Sequence, residues 1–262
     1  MKIKDSRPLV QTATNDYVAM LRSMRKYGHD TDGANKLRIG PITFICTLAT
    51  GRDRIDIDAI RTNIKDIRTH MRVNTTPSRS GRVFYNQLTL WYRDSKSKKS
   101  IKIFANGKLQ ITGLTGYVEC YSVCEYTSQL IQRLTNIPRV RISDHYVAMI
   151  NCNFKWRVGV RINLRTMCDV LNDPACNDEG RWFASYNPES YPAINAKYVH
   201  TSLAIQSSAF IFSTGSIVIT AGRSIKDLHM VYASICGVIG PAYDSRQLDH
   251  PIKEYDATGP IR

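Results

Sequence analysis

The chain contains one stretch of sequence twice, and this duplication constrains the fold more than any other feature. FANGKLQIT at 104–112 recurs as FSTGSIVIT at 212–220. IDID at 55–58 matches INLR at 162–165 with almost the same spacing between the copies. Because two separate matches have nearly the same spacing, they belong to one long duplicated unit. We therefore expect two halves with the same order of elements.

Each half predicts an apolar strand, a helix of about three turns, several strands and a long amphipathic helix, which is an α+β order. The first short helix is expected to begin near Asp56 or Asp58, because an aspartate accepts hydrogen bonds from the free N–H groups of a first turn. Four isoleucines then share one helical face: Ile57, Ile60, Ile64 and Ile67. The other predicted elements are strands at 41–49 and 146–154 and helices at 16–27, 117–134, 164–171 and 225–239.

Segments without hydrophobic periodicity indicate the domain boundaries. We expect an N-terminal extension over 1–40, a first repeat over 41–138, a second repeat over 139–240 and a C-terminal tail over 241–262. No run approaches the roughly 20 apolar residues of a membrane span, and the first residues lack the apolar stretch of a secretory signal. The sequence therefore predicts an intracellular protein without a membrane partner.

The repeated hairpin shows which side chains share a face of the sheet, because the loop length sets the register. A two-residue turn at Asn106 and Gly107 would mix apolar and polar groups on both faces. A three-residue loop over 106–108, with Gly107 in the left-handed region, pairs Ala105 with Leu109. This pairing puts the apolar groups on one face and the polar groups on the other, so we predict the longer loop. The apolar face then holds Ile101, Ile103, Ala105, Leu109 and Ile111, and in the second copy Ala209, Ile211, Ile217 and Ile219. The other face holds Lys102, Phe104, Gln110 and Thr112, and in the second copy Phe210, Phe212, Val218 and Thr220.

Large aromatic groups on a basic sheet are typical of proteins that stack or wedge against nucleic-acid bases. The chain has 36 Lys and Arg against 22 Asp and Glu, a formal net charge of +14. A second layer or a dimer partner over the same face is the alternative. The residues alone leave both interpretations open.

At this point the sequence resembles the TATA-box-binding protein family. FSTGSIVITAG at 212–222 and FANGKLQITG at 104–113 are similar to that family's paired hairpins, and YNPESYPAINAKY at 186–198 is similar to the segment that enters the sheet in its second repeat. The resemblance covers about residues 41–240. It implies a saddle: a curved antiparallel sheet of two pseudo-symmetric halves, helices on the convex side and DNA under the concave side. Such proteins wedge apolar side chains into the minor groove and bend the duplex.

The resemblance also implies roles for individual residues, most of them in DNA binding. The wedges would be Phe84 and Phe104 in the first half and Tyr191 and Phe212 in the second, with Phe210 on the same face. Thr112, Thr220 and Val218 match contacts to the groove floor, and Asn151 matches the central asparagine that reaches base acceptors. Lys108 and Lys197 match phosphate-facing positions, and Glu189 matches a contact site for the B-type general transcription factor.

Several positions depart from the family pattern. Pro41 stands at the aligned counterpart of Asn151, Lys102 stands where an apolar contact is usual, Gln110 replaces a valine, and Tyr191 replaces a phenylalanine. These departures resemble those of divergent members encoded by large DNA viruses. The run Lys96, Lys98 and Lys99 could be a solvated loop or could reach phosphates, and the sequence leaves this open.

The sequence predicts no enzyme, no cofactor, no metal and no small-molecule substrate. Six histidines lie next to no candidate nucleophile, and no Gly-rich phosphate loop follows a strand. The seven cysteines lack zinc-site spacing, and we expect reduced, mostly buried thiols. The predicted function is a transcription initiation factor that binds and bends A/T-rich promoter DNA, in the nucleus or at a site of viral transcription. The alternatives are an architectural DNA binder without sequence preference and a protein-interaction module built on the same saddle.

Overall fold

The computed structural model describes residues 38–51, 54–66, 70–73, 86–93, 98–156, 161–176, 180–200, 202–203 and 205–244. The strands in these ranges are β1 Arg38–Ala49, β2 Met71–Val73, β3 Gln87–Arg93, β4 Lys98–Phe104, β5 Lys108–Leu114, β6 Arg141–Lys155, β7 Gly180–Ser185, β8 Ala193–His200, β9 Gln206–Phe212 and β10 Ser216–Gly222. The helices are α1 Ile57–Asn63, α2 Tyr117–Thr135, α3 Leu164–Asn172 and α4 Ile225–Asp244. The predicted helix at 16–27 lies outside the described residues. None of the described helices is long and apolar enough to cross a membrane.

The described residues divide into two compact units. The first unit holds residues 39–152 and 221–226, and the second holds residues 153–220 and 227–244. In the first unit the strand order is β2-β3-β4-β5-β1-β6, and in the second it is β10-β9-β8-β7. The pairs β1–β5, β2–β3, β3–β4 and β4–β5 of the first unit and β7–β8, β8–β9 and β9–β10 of the second are antiparallel. The division of the chain at residues 41, 139 and 241 stays a prediction.

The short helices begin where their capping residues predict. Asp56 is the N-cap of α1, and its Oδ1 accepts a hydrogen bond from the Ala59 N–H at 2.9 Å. Asn163 caps α3 in the same way through the N–H groups of Arg165 and Thr166. The α1 helix is shorter than the predicted three turns, because a 3-10 turn over Ile64–Asp66 follows its seven residues.

The long helices carry the predicted apolar stripes. Buried positions in α4 include Ile225, Leu228, Tyr232, Ile235 and Ile239. This helix extends to Asp244, five residues beyond its predicted end, and includes Pro241. A proline removes one backbone hydrogen bond of a helix but does not always end it. Helix α2 agrees with its prediction to within one residue at its end.

The hairpin loop has the predicted length but a different position. Ile103 lies opposite Leu109, so the loop is residues 105–107 and the predicted pairing of Ala105 with Leu109 is wrong. Gly107 is the last loop residue, with a φ of +85°, and a Cβ there would meet the Leu48 carbonyl oxygen at 2.9 Å. Three-residue hairpin loops place the left-handed residue last, which explains the position. Relative to the prediction, the partner of each β4 residue shifts by two positions along β5. Because side chains alternate between the faces of a strand, each one keeps its predicted face.

Hydrogen bonds repeat along the chain with the sequence. The Leu48 N–H donates to the Gly107 carbonyl at 2.9 Å, and the Trp156 N–H donates to the Gly215 carbonyl at 2.8 Å. The Ile55 N–H donates to the Ala105 carbonyl at 2.8 Å, as the Ile162 N–H does to the Ser213 carbonyl. These pairs confirm the duplication in structure. With the strand and helix order, they confirm the predicted α+β fold class.

Candidate nucleic-acid interface

The outer face of the second unit is the side of its strands opposite the buried Ala209, Ile211, Ile217 and Ile219. The predicted residues on this face are all half-buried: Phe210, Phe212, Val218 and Thr220. In the strand register, Asn195 lies opposite Phe210 and Lys197 lies opposite Ser208. The exposed side chains of Asn195 and Lys197 therefore extend the same face.

Three aromatic rings come together on this outer face. The Tyr191 side chain is 47% exposed, and its ring centroid lies 5.8 Å from that of Phe210 and 6.2 Å from that of Phe212. The structure thus brings the two predicted second-half wedges together, with Phe210 beside them. A groove of about 420 Å³ is lined by Ser185, Asn187, Ser190, Tyr191, Ala193, Asn195 and Phe210. The Tyr191 and Phe210 rings pack edge to face with an interplanar angle of 71°, and the Tyr191 and Phe212 rings are tilted by 60°.

The turn before β8 holds Tyr191 in place. The Asn187 carbonyl accepts hydrogen bonds from the N–H groups of Ser190 at 3.2 Å and Tyr191 at 3.0 Å. Its side-chain Oδ1 accepts from the Glu189 N–H at 3.1 Å. The Glu189 side chain is exposed on this turn, where a second protein could reach it.

The outer face of the first unit is more polar. Lys102, Phe104, Gln110 and Thr112 are half-buried on it, and Lys108 is exposed where β5 begins. Phe84, the other predicted first-half wedge, lies outside the described residues. The Thr112 hydroxyl donates to the Ser100 carbonyl at 3.5 Å, and the Thr220 hydroxyl donates to the Ser208 carbonyl at 3.4 Å. These long hydrogen bonds are weak, so both hydroxyls can turn toward a ligand.

Asn151 presents an unsatisfied amide oxygen. Its Oδ1 is buried and has no hydrogen-bond partner among the residues that the structure describes. A buried polar atom of this kind costs free energy unless a ligand or water satisfies it. The amide can present either its oxygen or its nitrogen, because a flip of the side chain exchanges the two atoms. Either end would suit base edges, which carry both donors and acceptors.

The Lys98 and Lys99 side chains have different environments. Lys99 is fully buried, and its Nζ lies 2.8 Å from Glu119 Oε1. Burial alone would raise the pKa of Glu119, but hydrogen bonds from Lys99 and Thr115 hold it below its ordinary value. Lys98 is exposed, and its Nζ lies 3.8 Å above the centroid of the Trp91 ring. Lys99 is thus a core residue, and Lys98 belongs to the surface.

Comparison with known proteins shows a likeness to one family. Residues 147–241 match the family model described as transcription factor TFIID, or TATA-binding protein. A "TATA-box-binding protein-like" protein of Acanthamoeba polyphaga mimivirus is 23% identical over 250 residues. Residues 147–241 thus resemble the TATA-binding-protein family, and the chain is similar to a viral protein of that type. The matched residues include the aromatic rings and β10 hairpin of the second unit.

The two matched proteins differ in how much they share with this chain. The match to the mimivirus protein covers 80% of this chain, which spans 66% of that relative's length. The solved structure of Methanococcus jannaschii TBP aligns with a TM-score of 0.49 and 16% identity, over 78% of this chain and 98% of that one.

The repeated hydrogen bonds and the strand registers correct two alignments between the halves of the sequence. At the spacing that relates Leu48 to Trp156, the counterpart of Asn151 is Thr43 and not Pro41. Gln87 lies opposite Phe104 as Ala193 lies opposite Phe212. Two residues earlier in each copy are positions 85 and 191, so the sequence counterpart of Tyr191 is Tyr85 and not Phe84. Both Phe84 and Tyr85 lie outside the described residues, and the first-half wedge at Phe84 stays a prediction.

Sequence reasoning missed some residues of the outer faces. Phe183 is 55% exposed on β7, opposite Lys197, and Trp91 lies beneath Lys98 on β3. The alternation of buried and exposed residues in β7 and β8 would have placed Phe183 and Asn195 on the outer face. Trp91 and Lys98 belong to two different strands, so the pair needed the register of β3 against β4.

Proposed function

We propose that this protein is a transcription initiation factor that binds promoter DNA through its outer faces, wedges aromatic side chains into the minor groove and bends the duplex. The observation that carries the proposal is the cluster of Tyr191, Phe210 and Phe212 on the hairpin of the second unit, with Lys197 and Asn195 beside it. The family supports a role of this type.

The chemistry of the outer faces suits a minor groove. That groove offers few donors and distinguishes A·T from G·C mainly by its acceptors and its deformability. Val218, Thr112 and Thr220 are short side chains that fit a groove floor, and Asn151 supplies an amide for base edges. Phe104 and Phe212 occupy equivalent positions at the ends of β4 and β9. Flexible A/T-rich steps are the ones that such wedges unstack at least cost.

The charge of the chain supplies the remaining contacts. A formal charge of +14 favours phosphates, and Lys108 and Lys197 are exposed at the ends of the faces that we assign to DNA. Glu189, exposed on the turn before β8, is the site we assign to a B-type general transcription factor. The proposed place of action is the nucleus or a site of viral transcription.

The test compares wedge and control variants in a bending assay. We expect the double variant Phe104→Ala with Phe212→Ala to lose bending of an A/T-rich duplex, measured by fluorescence energy transfer between its ends. Val118→Ala is the matched control, because Val118 is 64% exposed on α2 and belongs to neither outer face. Circular dichroism would establish that the double variant is folded. Normal bending by that folded double variant would show that the wedge assignment is wrong.

Architectural binding without sequence preference is the second candidate function. Lys102 and Gln110 favour it, because they put charge and polarity on the first outer face where the family has apolar contacts. Equal affinity for A/T-rich and G/C-rich duplexes of the same length would support the architectural function. At least tenfold preference for the A/T-rich duplex would support promoter recognition.

A further inference from the structure

Two thiols of the first unit lie in unusually close contact. Cys46 on β1 and Cys124 on α2 have their Sγ atoms 2.6 Å apart. Non-bonded heavy atoms usually approach to about 3.5–4.0 Å, and a disulfide bond is about 2.05 Å long. The exposed fraction is 1% for Cys46 and zero for Cys124. The two sulfur atoms therefore face each other in the core with no space for water between them.

The duplicated fold explains why these two residues meet. At the spacing that relates Leu48 to Trp156, Cys46 corresponds to Phe154 and Cys124 to Tyr232. In the second unit the rings of Phe154 and Tyr232 are in contact, with centroids 4.9 Å apart. Both copies of the fold thus bring this strand position against this helix position. The contact between the thiols therefore lies at a strand–helix contact that both copies share.

The strand and the helix fix both cysteines. Cys46 lies opposite Leu109 in the ladder between β1 and β5. Cys124 lies in the middle of α2, well inside both its start at Tyr117 and its end at Thr135. Neither residue is in a loop or at an element end.

The nearest competing thiol points elsewhere. Cys120 lies one helical turn before Cys124, and its Sγ donates a hydrogen bond to the Gly116 carbonyl at 3.3 Å. Two other cysteines, Cys168 and Cys176, are partly exposed and belong to the second unit. All seven cysteines are free thiols in this structure, and the Sγ atoms of Cys46 and Cys124 are in contact.

We propose that Cys46 and Cys124 form a disulfide bond that joins β1 to α2 when an oxidant is present, in place of the reduced thiols expected from the sequence. The oxidant is a disulfide of the glutathione or thiol-oxidoreductase class. One cysteine thiolate attacks oxidised glutathione, releases one glutathione thiolate and forms a mixed disulfide. The second cysteine thiolate then displaces the other glutathione. Two protein thiols lose two electrons and two protons, and one oxidised glutathione becomes two reduced glutathione molecules.

The bond forms before the first unit is fully packed. In the folded protein, the contact with the Cys46 thiol and burial both raise the pKa of Cys124, and burial raises the pKa of Cys120 to about 12. Exchange needs a thiolate and access to the oxidant. Both are available while β1 and α2 are still apart. Once formed, the buried bond is shielded from external thiols.

The test is oxidative refolding of the full chain. Reduced, unfolded protein is refolded in a buffer of oxidised and reduced glutathione, quenched with N-ethylmaleimide, and mapped by peptide mass spectrometry. We expect two unmodified cysteines and a cross-linked peptide that contains Cys46 and Cys124. We also expect the oxidised chain to unfold at a higher denaturant concentration than the reduced chain, because the bond closes a long loop of the unfolded chain.

Two variants make the test specific. Cys120→Ser should keep the cross-link, and Cys46→Ser should lose it together with the redox dependence of the unfolding midpoint. A wild-type chain that refolds with the native circular dichroism and has all seven thiols modified would overturn the proposal. A cross-link between Cys120 and either partner would also overturn it. None of these measurements uses DNA, so the result is independent of the proposed function.

Discussion

The two units place different chemistry at equivalent positions of one backbone pattern. On the outer face, Lys102 and Gln110 of the first unit correspond to Phe210 and Val218 of the second. Trp91, opposite Ser100, corresponds to Lys197, opposite Ser208. The second unit thus offers a largely apolar, aromatic surface, and the first offers charge and amide groups. Duplication preserved the ladders while the side chains that would meet a ligand diverged.

The inner faces differ as well. Lys99 of the first unit is fully buried against Glu119, and its counterpart in the second unit is Ser207. Ser207 is 3% exposed, and its hydroxyl has no partner among the described residues. One copy therefore holds a buried ion pair where the other holds a small hydroxyl group. The two units therefore share a topology but differ in what this buried position contributes to stability.

The largest effect we expect is the loss of the buried ion pair. Glu119→Gln removes the Glu119 carboxylate from the buried Lys99 ammonium, which should lower the free energy of unfolding by about 3 kcal/mol. Ser207→Ala at the equivalent position should change it by less than about 0.5 kcal/mol. Urea unfolding of both variants at neutral pH measures the difference. Similar small values for both would show that the ion pair does not stabilise the first unit.

The same pair gives stability a defined pH dependence. The pKa of Glu119 is lowered in the folded state, so its contribution is present in full above its ordinary value of 4.5. The contribution declines as the pH falls below that value and is lost once the pH passes through the lower folded-state pKa. Glu119→Gln should lack this part of the acid dependence, which urea unfolding at a series of acidic pH values would measure.

A smaller effect should follow from making the first outer face like the second. Lys102→Phe combined with Gln110→Val copies the residues of the second unit. If the apolar surface contacts the minor groove, the variant should prefer an A/T-rich over a G/C-rich duplex more strongly than wild type does. We expect the ratio of the two affinities to rise about tenfold, or about 1.4 kcal/mol. The discrimination is measured by competition at constant salt. Unchanged discrimination would mean that the first outer face does not contact the groove floor.

The smallest effect concerns Lys98. Since Trp91 occupies the position of Lys197, we expect Lys98 above its ring to supply the phosphate contact of the first unit. Lys98→Gln should reduce the slope of log affinity against log salt by about 1. Lys226→Gln is the control, because Lys226 is exposed on α4 and lies on neither outer face. Equal slopes for wild type and Lys98→Gln would remove Lys98 from the interface.

Much of the fold could be predicted because its signals are local. Asp56 and Ile57 indicate the start of a helix within a few residues, and the apolar alternation around Gly107 separates the two faces of the hairpin. The predicted loop position is wrong although its signal is local: three-residue loops place the left-handed residue last, and the predicted loop has Gly107 in the middle. The burial of Lys99 has no local signal, because its partner Glu119 lies on a helix that follows another strand. A lysine in a basic run has no local signal of such burial.

The candidate site was predictable where the repeat marks it. The outward positions of Phe104, Phe210 and Phe212 followed from alternation and a shared loop length. The contact of Tyr191 with both phenylalanines depends on the turn at Asn187, which no periodicity describes. The alignment of Asn151 with Pro41 failed because no sequence motif marks the equivalent position in β1, and the hydrogen bonds of Leu48 and Trp156 were needed to place it at Thr43.

The hydrogen bonds from Leu48 to Gly107 and from Trp156 to Gly215 have a consequence for how such a chain can evolve. Surface loops usually tolerate insertions and deletions. Each of these loops, however, accepts a backbone hydrogen bond from a residue at or just after the end of another strand. One added residue would disturb this hydrogen bond beside the phenylalanine that precedes the loop. These hairpins can therefore accept substitutions more readily than a change of loop length. Both copies keep three-residue loops, although many of the residues around them differ.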